Sequence, residues 1–184
     1  MARLGTGAAF LTLASGALAF AVMGEQARAL RFLLGIVLLL AVTRLVVPGP
    51  YEAAFSVTVA LSLWCDTGQW YRTVPHLDTA VHFLLSGTGC VIVFFALLRL
   101  GGPAVRAGAV SAPRWVLTLW VAWIGLATAA VWELYEWVVE ELAPRSMRVG
   151  YDDTIADLAA GLAGCLLAGA VLAYATHGRL PRDE

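Results

Sequence analysis

Apolar residues occur along the chain in six long runs, separated by short stretches that contain Gly, Pro or charged residues. A helix needs about 20 residues to span the ~30 Å hydrocarbon layer of a bilayer, and each run approaches that length. The intervening stretches, such as VPGP and GGPAVRAGAVSAP, are rich in turn residues. The pattern predicts six transmembrane helices, over residues 4–23, 29–47, 51–68, 76–98, 114–140 and 154–176.

The predicted fold class is therefore all-α: a polytopic membrane protein whose single domain, residues 1–184, is a six-transmembrane-helix bundle. An even number of spans places both termini on one side of the membrane. The loop between the fourth and fifth spans contains Arg99 and Arg106 and no acidic residue, and Arg114 follows it as the first residue of the fifth span. Basic loops favour the cytoplasm, so we expect cytoplasmic termini, although the other side also has several Arg residues.

Composition supports a membrane location. The 184 residues are 60% hydrophobic and 14% charged, whereas soluble domains average about 25% charged residues. The formal net charge of -1 gives no electrostatic basis for binding nucleic acid, so membrane lipid is the expected partner. Cys65, Cys90 and Cys165 lie in apolar segments without metal-type spacing, which favours buried packing over a disulfide or zinc site.

Acidic and imidazole side chains gather at one end of the last four predicted spans. They are Asp66 on the third, His76, Asp78 and His82 on the fourth, Glu133, Glu136, Glu140 and Glu141 on the fifth, and Asp152, Asp153 and Asp157 on the sixth. Since successive spans run in opposite directions, these ends meet at one membrane face. We expect a polar cup there, on the non-cytoplasmic side.

Helical spacing selects the inward-facing members of this cup, because residues three or four apart share a helix face. The pairs are Asp78 with His82, Glu133 with Glu136, and Asp153 with Asp157. Below Asp157 the same face continues as small residues at Gly161, Cys165 and Gly169. Small residues let helices approach closely, so the last span is predicted to lie centrally, with its acidic face turned inward.

So many neighbouring carboxylates need protons, Arg partners or a bound cation. Loop residues Arg72, Arg145 and Arg148 are candidates for Arg partners. Carboxylates one turn apart on facing helices, together with imidazoles, are also how helical bundles hold metal pairs. The candidate metal ligands are Asp78, His82, Glu133, Asp153 and Asp157. They suit Mg²⁺ or Mn²⁺, with Zn or Fe also possible. Glu136, or His82 where it is not a ligand, is the candidate catalytic base.

The motifs WCDTGQWY, HLDTAVHF, WELYEW and DDTIADLAAGLAG, within residues 64–165, resemble the YjdF-like family of bacterial inner-membrane proteins. A looser resemblance is to VanZ-like membrane proteins, whose pattern has Gln and Asn where this chain has Glu136 and Asp157. The resemblance implies a multi-pass protein of the bacterial inner membrane with a shared site. It names no reaction.

Three functional hypotheses follow. The first is a metal-dependent hydrolase or transferase that acts on a lipid-linked or phosphorylated envelope substrate. The second is a proton- or cation-coupled transporter, although the spans show no internal repeat of the kind that transporters use. The third is a non-catalytic membrane subunit that binds a protein partner or forms a homo-oligomer. Beside all three stands a purely structural role, in which the polar residues only hold the bundle together.

Overall fold

The computed structural model describes residues 2–45, 47–142 and 150–176. Over these residues it contains eight α-helices and no strand, which confirms the all-α prediction. The helices are α1 Ala2–Val22, α2 Gln26–Thr43, α3 Gly49–Thr67, α4 Trp70–Thr73, α5 Leu77–Leu100, α6 Gly102–Ser111, α7 Arg114–Leu142 and α8 Tyr151–Thr176. Each predicted span coincides with one of the long helices to within a few residues.

Five of the described helices are long and apolar enough to cross a membrane: α1, α2, α5, α7 and α8. The third predicted span, residues 51–68, is also a helix, namely α3. It falls short of the other five in apolarity because it carries polar residues such as Glu52, Ser56 and Asp66. Membrane-spanning character is thus supported for five helices, and the count of six stays a prediction.

Two helices lie where the sequence predicted only loops. The sequence GGPAVRAGAVSAP contains α6, which begins at Gly102 with a positive φ of 72° and has Pro103 in its first turn. Proline is well tolerated there because the first helical N–H groups have no partner within the helix. The prediction of a loop was wrong here, since it treated a helix-starting proline as a break. The other is the single turn α4, which follows Gln69 in the left-handed conformation.

The chain divides into two compact units, residues 1–77 and 78–184. In the first unit α1 packs against both α2 and α3. Gly16 on α1 lies against the ring of Phe32, whose edge meets Trp64 at a centroid distance of 5.0 Å. Trp64 in turn donates a hydrogen bond of 3.0 Å to Thr12 Oγ1. One aromatic cluster therefore links the three helices of this unit.

In the second unit α8 packs directly against α5 and α7 through small residues. A side chain at Gly164 would collide with the backbone carbonyl of Phe83 on α5, and one at Gly125 on α7 would collide with Cys165. Gly161 faces Ser86. Helix backbones approach this closely only where glycine or another small residue leaves room. The predicted packing role of the small residues on the last span is confirmed within this unit.

The three cysteines are buried, as the sequence predicted. Cys90 and Cys165 both lie against Gly125, where α5, α7 and α8 come together. Their thiols fill the space that a larger side chain could not enter. In this position they act as small apolar residues.

Replacing Gly164 with Ala should destabilise the protein by about 1–3 kcal/mol, because the new methyl group must push α5 and α8 apart. Thermal unfolding of the purified protein in detergent measures this effect. Gly108→Ala is the matched control, since nothing lies within 4 Å of a Cβ at that position. Equal unfolding temperatures for the two variants would contradict the close contact between α5 and α8.

Candidate functional site

Three helices of the second unit bring five of the predicted site residues together, and we call these residues the His82 cluster. The cluster consists of Asp78 and His82 on α5, Glu133 and Glu136 on α7, and Asp157 on α8. Asp78, His82 and Asp157 lie within the first two turns of their helices, whereas Glu133 lies nine residues before the last residue of α7. Since α7 runs opposite to α5 and α8, these positions meet at one end of the unit.

The imidazole of His82 is at the centre of the cluster. Its Nε2 atom is 3.6 Å from Asp78 Oδ1 and 3.9 Å from Asp157 Oδ2. Its Nδ1 atom is 3.6 Å from Glu133 Oε1. These distances exceed ordinary hydrogen-bond lengths, so the groups face one another without bonding directly.

The inner part of the cluster is buried, and its outer part, the rim, is more open. Glu133 and Asp157 are 6% and 2% exposed, while Asp78 and Glu136 are only half-buried. Glu133 Oε1 and Asp157 Oδ1 are buried atoms without a hydrogen-bond partner. A buried carboxylate oxygen left unpaired costs several kilocalories per mole, and native structures compensate such groups almost without exception. These two oxygens therefore require a proton, a water molecule or a cation beside them.

Charge compensation within the cluster is incomplete, since four carboxylates surround one imidazole. Among the described residues of the second unit, no Arg comes within 4 Å of any of these carboxylates. Of the three predicted Arg partners, Arg72 is exposed on α4, and Arg145 and Arg148 lie outside the described residues. Among the described side chains of this unit, His82 is the sole basic neighbour of the acidic groups.

The donor atoms fall into two overlapping groups with metal-ligand spacing. Asp78, His82 and Asp157 form one group, and His82, Glu133 and Glu136 form the other. Within each group the ligand atoms lie within 4.8 Å of one another, a separation that a single ion can bridge. Two carboxylates and one imidazole suit Mn²⁺, Zn²⁺ or Fe, and also Mg²⁺ where water completes the coordination.

Asp153 is the one predicted ligand that joins neither group. It lies in the exposed first turn of α8, one turn before Asp157. The spacing places both side chains on one helix face, but only Asp157 is deep enough to be covered by the neighbouring helices. The role of Asp153 as a ligand stays a prediction.

The other acidic and imidazole residues of the predicted cup do not belong to the His82 cluster, and their environments differ. Asp66, in the first unit, pairs with Arg31, and both side chains are about half exposed. His76 is exposed and has a positive φ of 58° just before α5. Asp152 and Glu141 are exposed, as expected for residues at helix ends.

Sequence reasoning missed the role of Trp132. Its indole Nε1 donates a 2.8 Å hydrogen bond to Glu136 Oε1. The two residues are four positions apart on α7, and that spacing could have revealed the pair. The bond fixes the Glu136 carboxylate at the rim of the cluster.

The helices and the cluster together define an all-helical membrane protein with a grouped set of His and carboxylate side chains. The chain belongs to the family described as "Predicted membrane protein (DUF2238)", whose model matches residues 4–179. No curated protein and no solved structure matches it. The description of the family supports the membrane assignment and names no reaction. The resemblance to YjdF-like and VanZ-like proteins stays a prediction.

Neutralising a buried member of the cluster should stabilise the metal-free protein. We expect Asp157→Asn to raise the free energy of unfolding in EDTA by about 1 kcal/mol, because it removes an uncompensated buried charge. Thermal unfolding in detergent measures the change. Asp66→Asn is the control, since it breaks an exposed ion pair with Arg31 and should lower stability slightly or leave it unchanged. A loss of stability in Asp157→Asn would instead indicate a structural network.

Proposed function

We propose that this protein is a metal-dependent membrane hydrolase or transferase whose His82 cluster binds a divalent cation. The observation that carries the proposal is the pair of buried carboxylates on either side of His82, those of Glu133 and Asp157, each of which has one oxygen without a hydrogen-bond partner. A structural network would satisfy such atoms with hydrogen bonds. A cation site leaves such oxygens free, either to bind the ion or to orient a histidine that binds it.

The group of Asp78, His82 and Asp157 provides three ligands and an open rim. Catalytic metal sites commonly have three protein ligands and leave a further position for water or substrate. A cation held there would polarise a phosphoryl or carbonyl oxygen and lower the pKa of bound water. Glu136, which Trp132 holds at the rim, is then placed to accept a proton as the general base.

The depth of the cluster favours a substrate with a lipid tail and a polar head. His82 is five residues from the start of α5, which corresponds to about 8 Å along the helix axis. That depth is near the boundary between hydrocarbon and headgroups. We propose a lipid-linked or phosphorylated envelope substrate, whose head reaches the cation while its tail stays in the bilayer.

The packing beneath the cluster argues against a transport pathway through the second unit. Gly161 meets Ser86, and one turn further Gly164 meets the backbone of Phe83 and Gly87. Backbone atoms of α5 and α8 in direct contact leave no channel between these two helices. A site closed at its base fits catalysis at one membrane face better than conduction.

The finer features of the proposal follow from the sequence. We treat α3 as a sixth span, which places both termini in the cytoplasm and the His82 cluster on the opposite face. The resemblance to YjdF-like proteins supports a location in the bacterial inner membrane. The polar cup formed by four spans remains part of this proposal.

Metal binding tests the proposal directly. The protein, purified in detergent and stripped with EDTA, should bind Mn²⁺ with saturable stoichiometry in a titration followed by electron paramagnetic resonance. We expect Asp157→Asn and His82→Gln to weaken binding by more than about 100-fold, since each removes a ligand. Asp66→Asn should bind Mn²⁺ like the unaltered protein, because Asp66 is paired with Arg31.

Activity on a polyprenyl diphosphate in mixed micelles provides the second readout. Phosphate release should require the cation and should fail in Glu136→Gln, although this variant still binds Mn²⁺. Absence of metal binding by the unaltered protein, or equal binding by Asp157→Asn, would refute the metal site. Binding without phosphate release would refute this substrate class.

A further inference from the structure

The two ring nitrogens of His82 face different carboxylates. Nδ1 faces the buried Glu133, at 3.6 Å, while Nε2 faces Asp78 and Asp157, at 3.6 and 3.9 Å. A neutral imidazole carries one N–H group, so one nitrogen donates and the other offers a lone pair. The surroundings of the ring therefore determine which nitrogen can bind a cation.

Only one of the two tautomers suits the buried Glu133. With the proton on Nδ1, the ring offers a donor to Glu133 Oε1, which has no hydrogen-bond partner. With the proton on Nε2, the lone pair of Nδ1 would face that buried carboxylate, and both groups would be acceptors. The first arrangement is favoured because it compensates a group that has little access to water.

The same tautomer turns the lone pair of Nε2 towards Asp78 and Asp157. Asp157 turns Oδ2 towards Nε2, at 3.9 Å, and its Oδ1 is the second buried oxygen without a partner, so a cation on this side compensates the Asp157 carboxylate. On the Nδ1 side, by contrast, Glu136 Oε1 already accepts a hydrogen bond from Trp132. A cation bound there would compete with that bond and leave Asp157 uncompensated.

We infer that Glu133 is a positioning residue: when a cation is bound, its carboxylate closes from 3.6 Å to accept a hydrogen bond from Nδ1–H of His82, and thereby presents Nε2 to a cation shared with Asp78 and Asp157. The inference rests on the proposed function and assigns separate roles within that site. It replaces the expectation that Glu133 is itself a ligand. A carboxylate behind a metal-binding histidine fixes the ring and strengthens its nitrogen as a ligand.

Nitrogen-15 NMR of the histidine ring tests the assignment without any assay of activity. The chain has three histidines, so the sample is the full-length double variant His76→Asn and His177→Gln, labelled in its one remaining imidazole. Asn is chosen for position 76 because it tolerates the positive φ found there. The spectrum is recorded without metal at alkaline pH, and again near neutral pH with Zn²⁺.

We expect the metal-free ring to carry its proton on Nδ1, and Zn²⁺ to shift the Nε2 signal while the Nδ1 proton remains. Glu133→Gln should keep this tautomer, because its amide oxygen can still accept, and should weaken Zn²⁺ binding about 10- to 100-fold. Glu133→Leu should shift the ring towards the Nε2–H tautomer. If the Glu133→Leu variant fails to fold, the Glu133→Gln variant alone tests the inference.

A proton on Nε2 in the metal-free protein, or Zn²⁺ on Nδ1, would overturn the inference. An unchanged Zn²⁺ affinity in Glu133→Gln would also overturn it. If the ring carries its proton on Nδ1 but Zn²⁺ does not bind, the proposed function fails, whereas the hydrogen bond from His82 to Glu133 is supported.

Discussion

An ionised carboxylate at membrane depth needs a counter-charge or hydrogen-bond donors beside it, and this requirement governs the second unit of the protein. Glu133 and Asp157 are almost fully buried, and each has an oxygen without a partner. His82 is the one basic side chain among the described residues of this unit close enough to compensate them. The free energy lost in burying these groups is consistent with a site that binds a cation, because apolar residues would have packed the helices as well.

The cluster depends on close contacts between small, uncharged residues of the same three helices. Gly164 lets α8 touch the backbone of α5, and Gly125 lets α7 approach Cys90 and Cys165. This packing fixes the spacing of the three helices that carry Asp78, Glu133 and Asp157. These contacts deeper in the bundle thereby determine the distances around His82. The rim formed by Asp78 and Glu136 stays accessible.

Much of the fold and of the cluster could be predicted because both depend on local periodicity. The length of the apolar runs located the long helices, and residues three or four apart identified the faces of α5 and α7. The same rule placed Asp153 beside Asp157 but could not show that the first turn of α8 is exposed. Burial depends on which neighbouring helices cover a residue, and the spacing of residues within one helix carries no information about those neighbours.

The features that sequence reasoning missed involve long-range contacts or local exceptions. The ion pair of Arg31 with Asp66 joins residues 35 positions apart, so the spacing of residues within one helix does not predict it. Helix α6 was missed because a proline that starts a helix has the same signature as one that ends it. The bond from Trp132 to Glu136 has helical spacing, but an exposed tryptophan near a helix end is equally typical of a membrane interface.

Anomalous diffraction from crystals grown in a lipid phase with Mn²⁺ tests the central claim most directly. The account predicts one strong anomalous peak within about 2.0–2.3 Å of His82 Nε2 and of oxygens from Asp78 and Asp157. Glu133 should lie on the far side of the ring, within hydrogen-bond distance of Nδ1. A map with no peak in the cluster, and with Glu133 and Asp157 bonded to other side chains, would contradict the account.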